Sequence, residues 1–320
     1  MIHALRAETR RLFSRRITLI SLLGLLALIA LFQLQVNSQV APPSAAEVAQ
    51  LQRDYDEYLQ EWEANHEKWE ADCVESGGSV EECAQPHPEL SEWGLAPVSF
   101  RDAVTPAISF AVYLGGMVLF VAMASFIGAE ATTGSLANWL TFIPNRTTVL
   151  ASKLIVVSVF SCAVGAAVGL LTVASSAILT TVHGQPLTGL DAVSAMAARG
   201  VVVVAIFGIA GFAVGLLTGS TGASIGVLLG GVFATYTLSV LAFVSRWAQY
   251  VAPFSPGVNL QAILNGGTTY EVTTGPSAPT QDAGYAERTL SLVQGLGYWA
   301  VVLGALIAIS WAVFRRRDVT

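Results

Sequence analysis

The sequence predicts an all-α polytopic membrane protein: six transmembrane helices, an N-terminal amphipathic surface helix, and a mainly helical extracellular insert between spans one and two. Three observations predict it. Of the 320 residues 53% are hydrophobic and 12% charged, with a positive mean hydropathy, where soluble domains carry roughly 25% charged residues. Six apolar stretches approach or exceed the ~20 residues a helix needs to cross a ~30 Å hydrocarbon core. The basic residues gather at alternate span ends, as the positive-inside rule requires.

The net charge of −6 hides an asymmetry. Residues 37–103 hold 15 acids against Arg53, Lys68 and Arg101, so the remainder of the chain is positive. Nucleic-acid binding needs a concentrated basic face, and this distribution argues against it.

Taken in order, residues 1–15 place Ile2, Leu5, Leu12 and Phe13 against Arg6, Glu8, Arg10 and Arg11 at helical spacing. That pattern predicts a basic amphipathic helix on the cytoplasmic surface; a plain positive anchor is the simpler reading. The transmembrane domain takes in 16–36 and 104–314. Its first span runs from about Ile17 to Val36. A secretory signal would also have a basic start and an apolar core, but this core is long and no A-x-A site follows, so a retained span is expected.

The acidic insert at 37–103 carries Val48, Leu51, Tyr55, Tyr58, Trp62 and Trp69 at spacings of three, four and seven. This predicts an amphipathic helix from near Ser44 to near Asp72, whose aromatic stripe must pack on something. A partner helix, a second subunit and the outer loop before the last span are candidates, and a ligand groove is the sharper alternative. Cys73 and Cys83 lie ten positions apart in this polar stretch, which suggests a disulfide worth somewhat under ~3 kcal/mol. Free thiols or a metal pair are the alternatives, and His87 alone does not complete a zinc set. Pro86, Pro88 and Pro97 imply an irregular return to the membrane.

The remaining spans run from about Val104 to Ile127, Val149 to Val173, Gly200 to Thr218, Ser224 to Val244 and Leu292 to Phe314. Only Gly219 to Ala223 separates the fourth from the fifth, a tight helical hairpin. Arg6, Arg10, Arg11, Arg15, Arg16, Arg146, Lys153, Arg315, Arg316 and Arg317 then fall on one side, against Arg101, Arg199, Arg246 and Arg288 on the other. Both ends, including the tail at 315–320, are therefore expected in the cytoplasm of a bacterial inner-membrane protein, with 37–103 outside. The second outer segment, 245–290, begins apolar but is broken by Pro253, Pro256 and Gly257. Short helices in the interface are expected there, with Trp247 and Tyr250 at headgroup level, followed by a flexible polar loop.

No ionisable residue falls in the middle of a predicted span, which argues against ion coupling. The milder polar residues Ser109, Tyr113, Thr235 and Tyr236 are candidates for lining a pathway; helix–helix hydrogen bonding is the plainer role. No G-x-x-x-x-G-K-[ST] phosphate loop occurs, nor an H-E-x-x-H or G-x-S-x-G site, so no enzyme activity, catalytic residue, metal or cofactor is expected in the chain. Gly165/Gly169, Gly211/Gly215/Gly219 and Gly222/Gly226/Gly230 repeat at four-residue spacing, which suits close helix packing.

The cytoplasmic loop at 128–148 is the most informative stretch. A short amphipathic helix is expected to restart at Ser135, a plausible N-cap, and bury Leu136, Trp139, Leu140 and Ile143 before Pro144 ends it. Glu130, Gly134, Ser135, Leu136, Phe142, Pro144, Arg146 and Lys153 resemble the corresponding loop of type-2 ATP-binding-cassette (ABC) exporter permeases, especially actinobacterial ones. The sequence departs from them at Ala131 to Thr133, where many members carry aromatic or basic residues. The order of surface helix, six spans, short inner turn and broken outer helices is similar over about 250 residues. The resemblance implies a membrane-spanning permease subunit, paired with an identical or related second permease. Two copies of a cytoplasmic ABC ATPase subunit would carry ATP and Mg, with Gly134 to Ile143 as coupling helix. An amphipathic drug, antibiotic, peptide or lipid would be the cargo. The alternative reading is a membrane-anchored receptor or immunity protein that binds its ligand through the acidic insert; a secondary transporter is a third.

Overall fold

The computed structural model describes residues 2–93, 98–132, 145–244, 248–273 and 285–316. Among them α1 (Ile2–Ser14) and α2 (Arg16–Val40) meet at Arg15, which is extended. Then come α3 (Ala45–Glu75), α4 (Val80–Cys83) and a 3-10 turn (Leu90–Trp93), followed by α5 (Phe100–Thr132). The helices α6 (Arg146–Val182), α7 (Leu190–Thr218) and α8 (Thr221–Val244) complete the middle of the chain. After α9 (Ala248–Val251), a 3-10 turn (Ala252–Phe254) and α10 (Pro256–Asn265), strands β1 (Gly267–Thr273) and β2 (Tyr285–Ser291) form an antiparallel pair that leads into α11 (Leu292–Arg316). Six of these helices, α2, α5, α6, α7, α8 and α11, are long and apolar enough to cross a membrane. The chain is thus a helical, multi-pass membrane protein.

The core is the seam between α5 and α7, flanked by α6 and α2. Small residues make the seam. A Cβ placed on Gly211 would stand 2.2 Å from the Phe120 carbonyl oxygen, and one on Gly215 2.7 Å from that of Ala124. Only hydrogen allows the backbones so close, and dispersion across the contact replaces the hydrophobic drive that lipid lacks. Around the seam Val104, Ile108, Met123, Phe126, Val157, Val203 and Val204 are buried. Helices α2, α8 and α11 are covered along little of their length and expose large apolar side chains such as Leu23, Phe233 and Val301, a surface suited to lipid.

Three boundaries differ from the sequence reading. The third span, read as running to Val173 or further, extends from Arg146 to Val182, a 37-residue helix about 55 Å long, against a hydrocarbon core of ~30 Å. The fourth begins at Leu190, which brings Arg199 into the helix, where its Nε donates to the Leu264 carbonyl at 2.9 Å. The polar stretch at 266–284, expected to be a flexible loop, instead supplies β1, which pairs with β2 just beyond it, so the fold is not purely α. Thr268, Thr269, Tyr270, Val272 and Thr289 are β-formers, and the pairing satisfies backbone groups that a loop leaves to water. The short helices expected before it are present as α9 and α10; Trp247 lies outside the described residues.

In the insert, Ser44 caps α3 with a full capping box: its hydroxyl accepts from Glu47 N at 3.3 Å, and Glu47 accepts from Ser44 N at 2.7 Å. Cys73 and Cys83 are joined in a disulfide, with Gly78 tucked against both sulfurs where a side chain would collide. The aromatic stripe packs on the return of its own insert. Tyr55 and Tyr58 meet Trp93 at 5.8 and 5.2 Å, Trp62 meets His87 at 5.1 Å, and Tyr55 donates to the Pro88 carbonyl at 3.1 Å.

Candidate functional site

Charge inside an apolar bundle has to be explained, because burying an unpaired ion costs several kcal/mol. At the end of the bundle where α1 lies, four ionic side chains converge from three parts of the chain. Glu8 is 0% exposed, Lys153 1% and Glu130 3%. The Lys153 ammonium donates to Glu8 Oε2 at 2.7 Å. It also stands 2.7 Å from Glu130 Oε2, an ion pair that lies off the hydrogen-bond direction. Arg15 completes the set, donating from Nη2 to Glu130 Oε1 at 3.2 Å and from Nη1 to the Ser125 carbonyl at 3.1 Å. Two carboxylates thus face two cations. Arg11, partly exposed, adds a 3.7 Å contact to Glu8.

Local structure places each of them. The break between α1 and α2 leaves Arg15 extended, and its guanidinium reaches the last turns of α5. Both cations meet the last described turns of α5, Arg15 at the Ser125 carbonyl and the Glu130 carboxylate and Lys153 at the Glu130 carboxylate. The fully buried Phe126 ring lies beneath them, 5.0 Å from the Arg15 guanidinium carbon and 4.8 Å from the Lys153 nitrogen, close enough for cation–π attraction. Glu8 shares the inward face of α1 with Leu12, itself 0% exposed, and Leu5. The sequence reading set Glu8 on the polar face of a surface helix; that is corrected here. Its charge turns inward because Lys153 requires an anion, while Phe13 remains 48% exposed and edge-on to Phe160.

Of the residues singled out for coupling, Glu130 belongs to this cluster. Arg146 instead donates to the carbonyls of Phe314 and Arg315, both at 3.3 Å, and so closes the C-terminal end of α11. Gly134, Ser135, Leu136, Trp139, Leu140, Phe142, Ile143 and Pro144 lie outside the described residues. The proposed pathway residues do not form a comparable group. Ser109 donates to the Thr105 carbonyl one turn back, Tyr113 packs on the core, Thr235 meets the close approach of Gly257, and Tyr236 is 70% exposed. No group of three metal-ligating side chains occurs among the described residues.

Sequence reasoning missed Glu8 and the pairing of Lys153. The available signal was that Glu8 is the one acid in a run of five arginines, three residues after Leu5 and four before Leu12. What the cluster does chemically is hold rather than react. It fixes α1 to α5 and α6, the helices before and after residues 133–144, with charges that cannot separate cheaply.

No curated protein and no solved structure matches the chain. A family model does match, over residues 101–320, which spans everything from the second membrane helix onward and leaves out α1, the first span and the insert. The chain therefore belongs to a family of proteins of unknown function, DUF2705.

Proposed function

We propose that this chain is the membrane-spanning permease subunit of an ATP-driven exporter. In this reading residues 133–144 form the coupling helix seated on a separate ATPase. The observation that carries it is the buried Glu8–Lys153–Glu130–Arg15 cluster. A force applied to the loop enters α5 at Glu130 and α6 at Arg146. The cluster makes those two helices and α1 move together, which is what a device driven from its cytoplasmic side requires. The resemblance of the loop to type-2 ABC permeases supports the same reading. So does the sequence, which carries neither a phosphate loop nor a mid-span charge to supply energy.

The rest of the assignment follows. The α1 end faces the cytoplasm, where α1 lies along the inner surface, and the insert at 37–103 is extracytoplasmic; its disulfide suits an oxidising compartment. Two ATPase copies hold ATP and Mg, and a second permease, identical or related, completes the path for an amphipathic cargo. The receptor alternative loses its motivation, since the stripe that recommended it is used in packing the insert's own return segment.

The test is purification from native membranes followed by transport in proteoliposomes. A phosphate-loop ATPase is expected to co-purify, and Trp139→Asp or Leu136→Asp is expected to abolish ATP-dependent flux while leaving the permease folded. Undiminished flux in those variants, or transport by the permease alone, overturns the proposal.

A further inference from the structure

Arg199 is the tenth residue of α7, about 14 Å along the helix from Leu190. A cation that far into an apolar span is costly unless it is paired or faces a polar cavity. Among the described residues no carboxylate lies within 4.0 Å of it. Its Nε donates to the Leu264 carbonyl at 2.9 Å. A guanidinium carries five N–H donors, and the other four have no hydrogen-bond partner among the described residues.

What Arg199 lines is a cavity of about 580 Å³ between α5, α7 and the end of α10, a size usual for small-molecule sites. Ala192, Ala195 and Arg199 border it from one face of α7, and the small alanines leave the space open. Arg101 and Pro106 border it from α5; Arg101 packs on Gly189, just before α7 begins, and so stands nearer the rim. Asn265, the exposed last residue of α10, borders it too. Both chain neighbours of Asn265 touch the guanidinium. Leu264 takes the Nε bond, and a Cβ on Gly266 would stand 3.2 Å from the Arg199 guanidinium carbon and from Nη1. Asp102 is the one acid in the lining. Its Oδ2 accepts from the Ser99 hydroxyl at 2.6 Å, and it pairs with neither arginine. Two guanidiniums therefore face one carboxylate.

We propose that this cavity binds an amphipathic oxyanion: the headgroup on the Nη groups of Arg199 with the Asn265 amide as a further donor, and a short apolar body against Pro106, Ala192 and Ala195. The planar fork of a guanidinium matches the paired oxygens of a carboxylate or phosphate. Arg101, nearer the rim, adds attraction without contact. Closing the end of α10 is a structural role that uses one N–H of Arg199; it accounts for neither the four remaining donors nor the cavity they border. The inference does not depend on the exporter reading.

The experiment is calorimetric titration of the full-length protein, in nanodiscs of zwitterionic lipid, with hexyl phosphate. Saturable binding is expected, weaker for inorganic phosphate, which has no apolar body, and absent for hexyltrimethylammonium. Arg199→Gln should weaken it by about tenfold or more, the loss of a charge-assisted contact, and Arg199→Lys, which keeps the charge without the fork, should weaken it less. Asn265→Asp tests the site with the arginine in place. It sets a carboxylate beside Arg199, so it should also weaken binding by about tenfold, yet melt no lower than the wild type without ligand. Lys68→Gln, which removes a cation from the insert, should leave binding unchanged. Competition identifies the source of the anion. Displacement of hexyl phosphate by dihexanoyl phosphatidylglycerol but not by dihexanoyl phosphatidylcholine supports a lipid headgroup in the site; displacement by neither supports a soluble anion. Absence of saturable binding, or unaltered affinity in Arg199→Gln or in Asn265→Asp, overturns the proposal.

Discussion

The two ends of the bundle handle charge in opposite ways. At the α1 end the charges are buried and paired with each other across long stretches of chain: Lys153 meets Glu8 from 145 residues away, and Arg15 meets Glu130 from 115. At the opposite end and in the insert the carboxylates of Glu47, Glu82, Glu271 and Glu287 are exposed, and the helix-capping contacts are local. Capping boxes each close over three residues, Ser44 with Glu47, Ser79 with Glu82 and Ser291 with Gln294, and the disulfide closes over ten. Long-range buried pairs fix helices against one another, so their loss is felt globally. Local exposed pairs set the ends of single helices, so their loss stays where it occurs.

The sharpest way to break this contrast is Lys153→Met. The methionine fills similar volume, but Glu8 and Glu130 are left buried with half their countercharge gone. Removing one partner of a buried pair costs about 3–5 kcal/mol, and the whole bundle should lose thermal stability together with protection of α1. Replacing all three, Glu8→Gln/Glu130→Gln/Lys153→Met, should recover part of the loss, because the uncompensated charge rather than the missing contact is the main penalty. Recovery absent from the triple variant, or a Lys153→Met protein that melts like the wild type, would show the cluster to be incidental.

Cys73→Ser/Cys83→Ser is the matching perturbation of the insert. The bridge is worth below ~3 kcal/mol for so short a loop. Amide exchange should rise over the end of α3 and over α4, and the melting of the bundle should not move. A shift of the bundle transition would mean that the insert and the spans unfold as one unit.

How much of this was legible beforehand varies with the kind of interaction. The six spans, the Ser44 start of α3 and the Cys73–Cys83 pair were legible because each follows from local composition or spacing. The glycines show the limit. Gly211/Gly215 and Gly226/Gly230 have the same spacing, yet the first pair sits against the α5 backbone while nothing lies within 4 Å of a Cβ on the second. Spacing shows that a helix permits close approach; which neighbour uses it is a tertiary fact. The strand pair was hidden by Gly, Pro and Thr that read as loop, although Thr268, Thr269 and Tyr270 face Leu290, Thr289 and Arg288 in a regular register. Glu8 was hidden because a lone acid among arginines satisfies the surface-helix pattern equally well, and only the position of Lys153 turns it inward.

A smaller test is Ser44→Ala. Losing the N-cap costs about 1 kcal/mol in helix stability, confined to the first turns of α3. Hydrogen exchange should quicken between residues 45 and 52 and nowhere in α5, α6 or α7.

The smallest effect expected is one of pH, and it separates the two ends without any substitution. Hydrogen bonds from the side chain and then the backbone of Ser44 favour the ionised form of Glu47, and Ser79 does the same for Glu82, so both carboxyls titrate below the ordinary 4.5. A carboxyl whose folded pKa is depressed stabilises the fold above its unfolded value and loses that contribution as pH falls through the folded one. The boxes are therefore at full strength at pH 7, weaken below 4.5 and are lost in strong acid. After correction for intrinsic rates, exchange protection at the first turns of α3 and α4 should fall between pH 5 and pH 3, and Ser44→Ala should abolish the pH dependence in α3 while leaving it in α4. Protection in α3 that falls equally in Ser44→Ala would place the titrating group elsewhere along the helix, and the capping box would then not be what fixes its start.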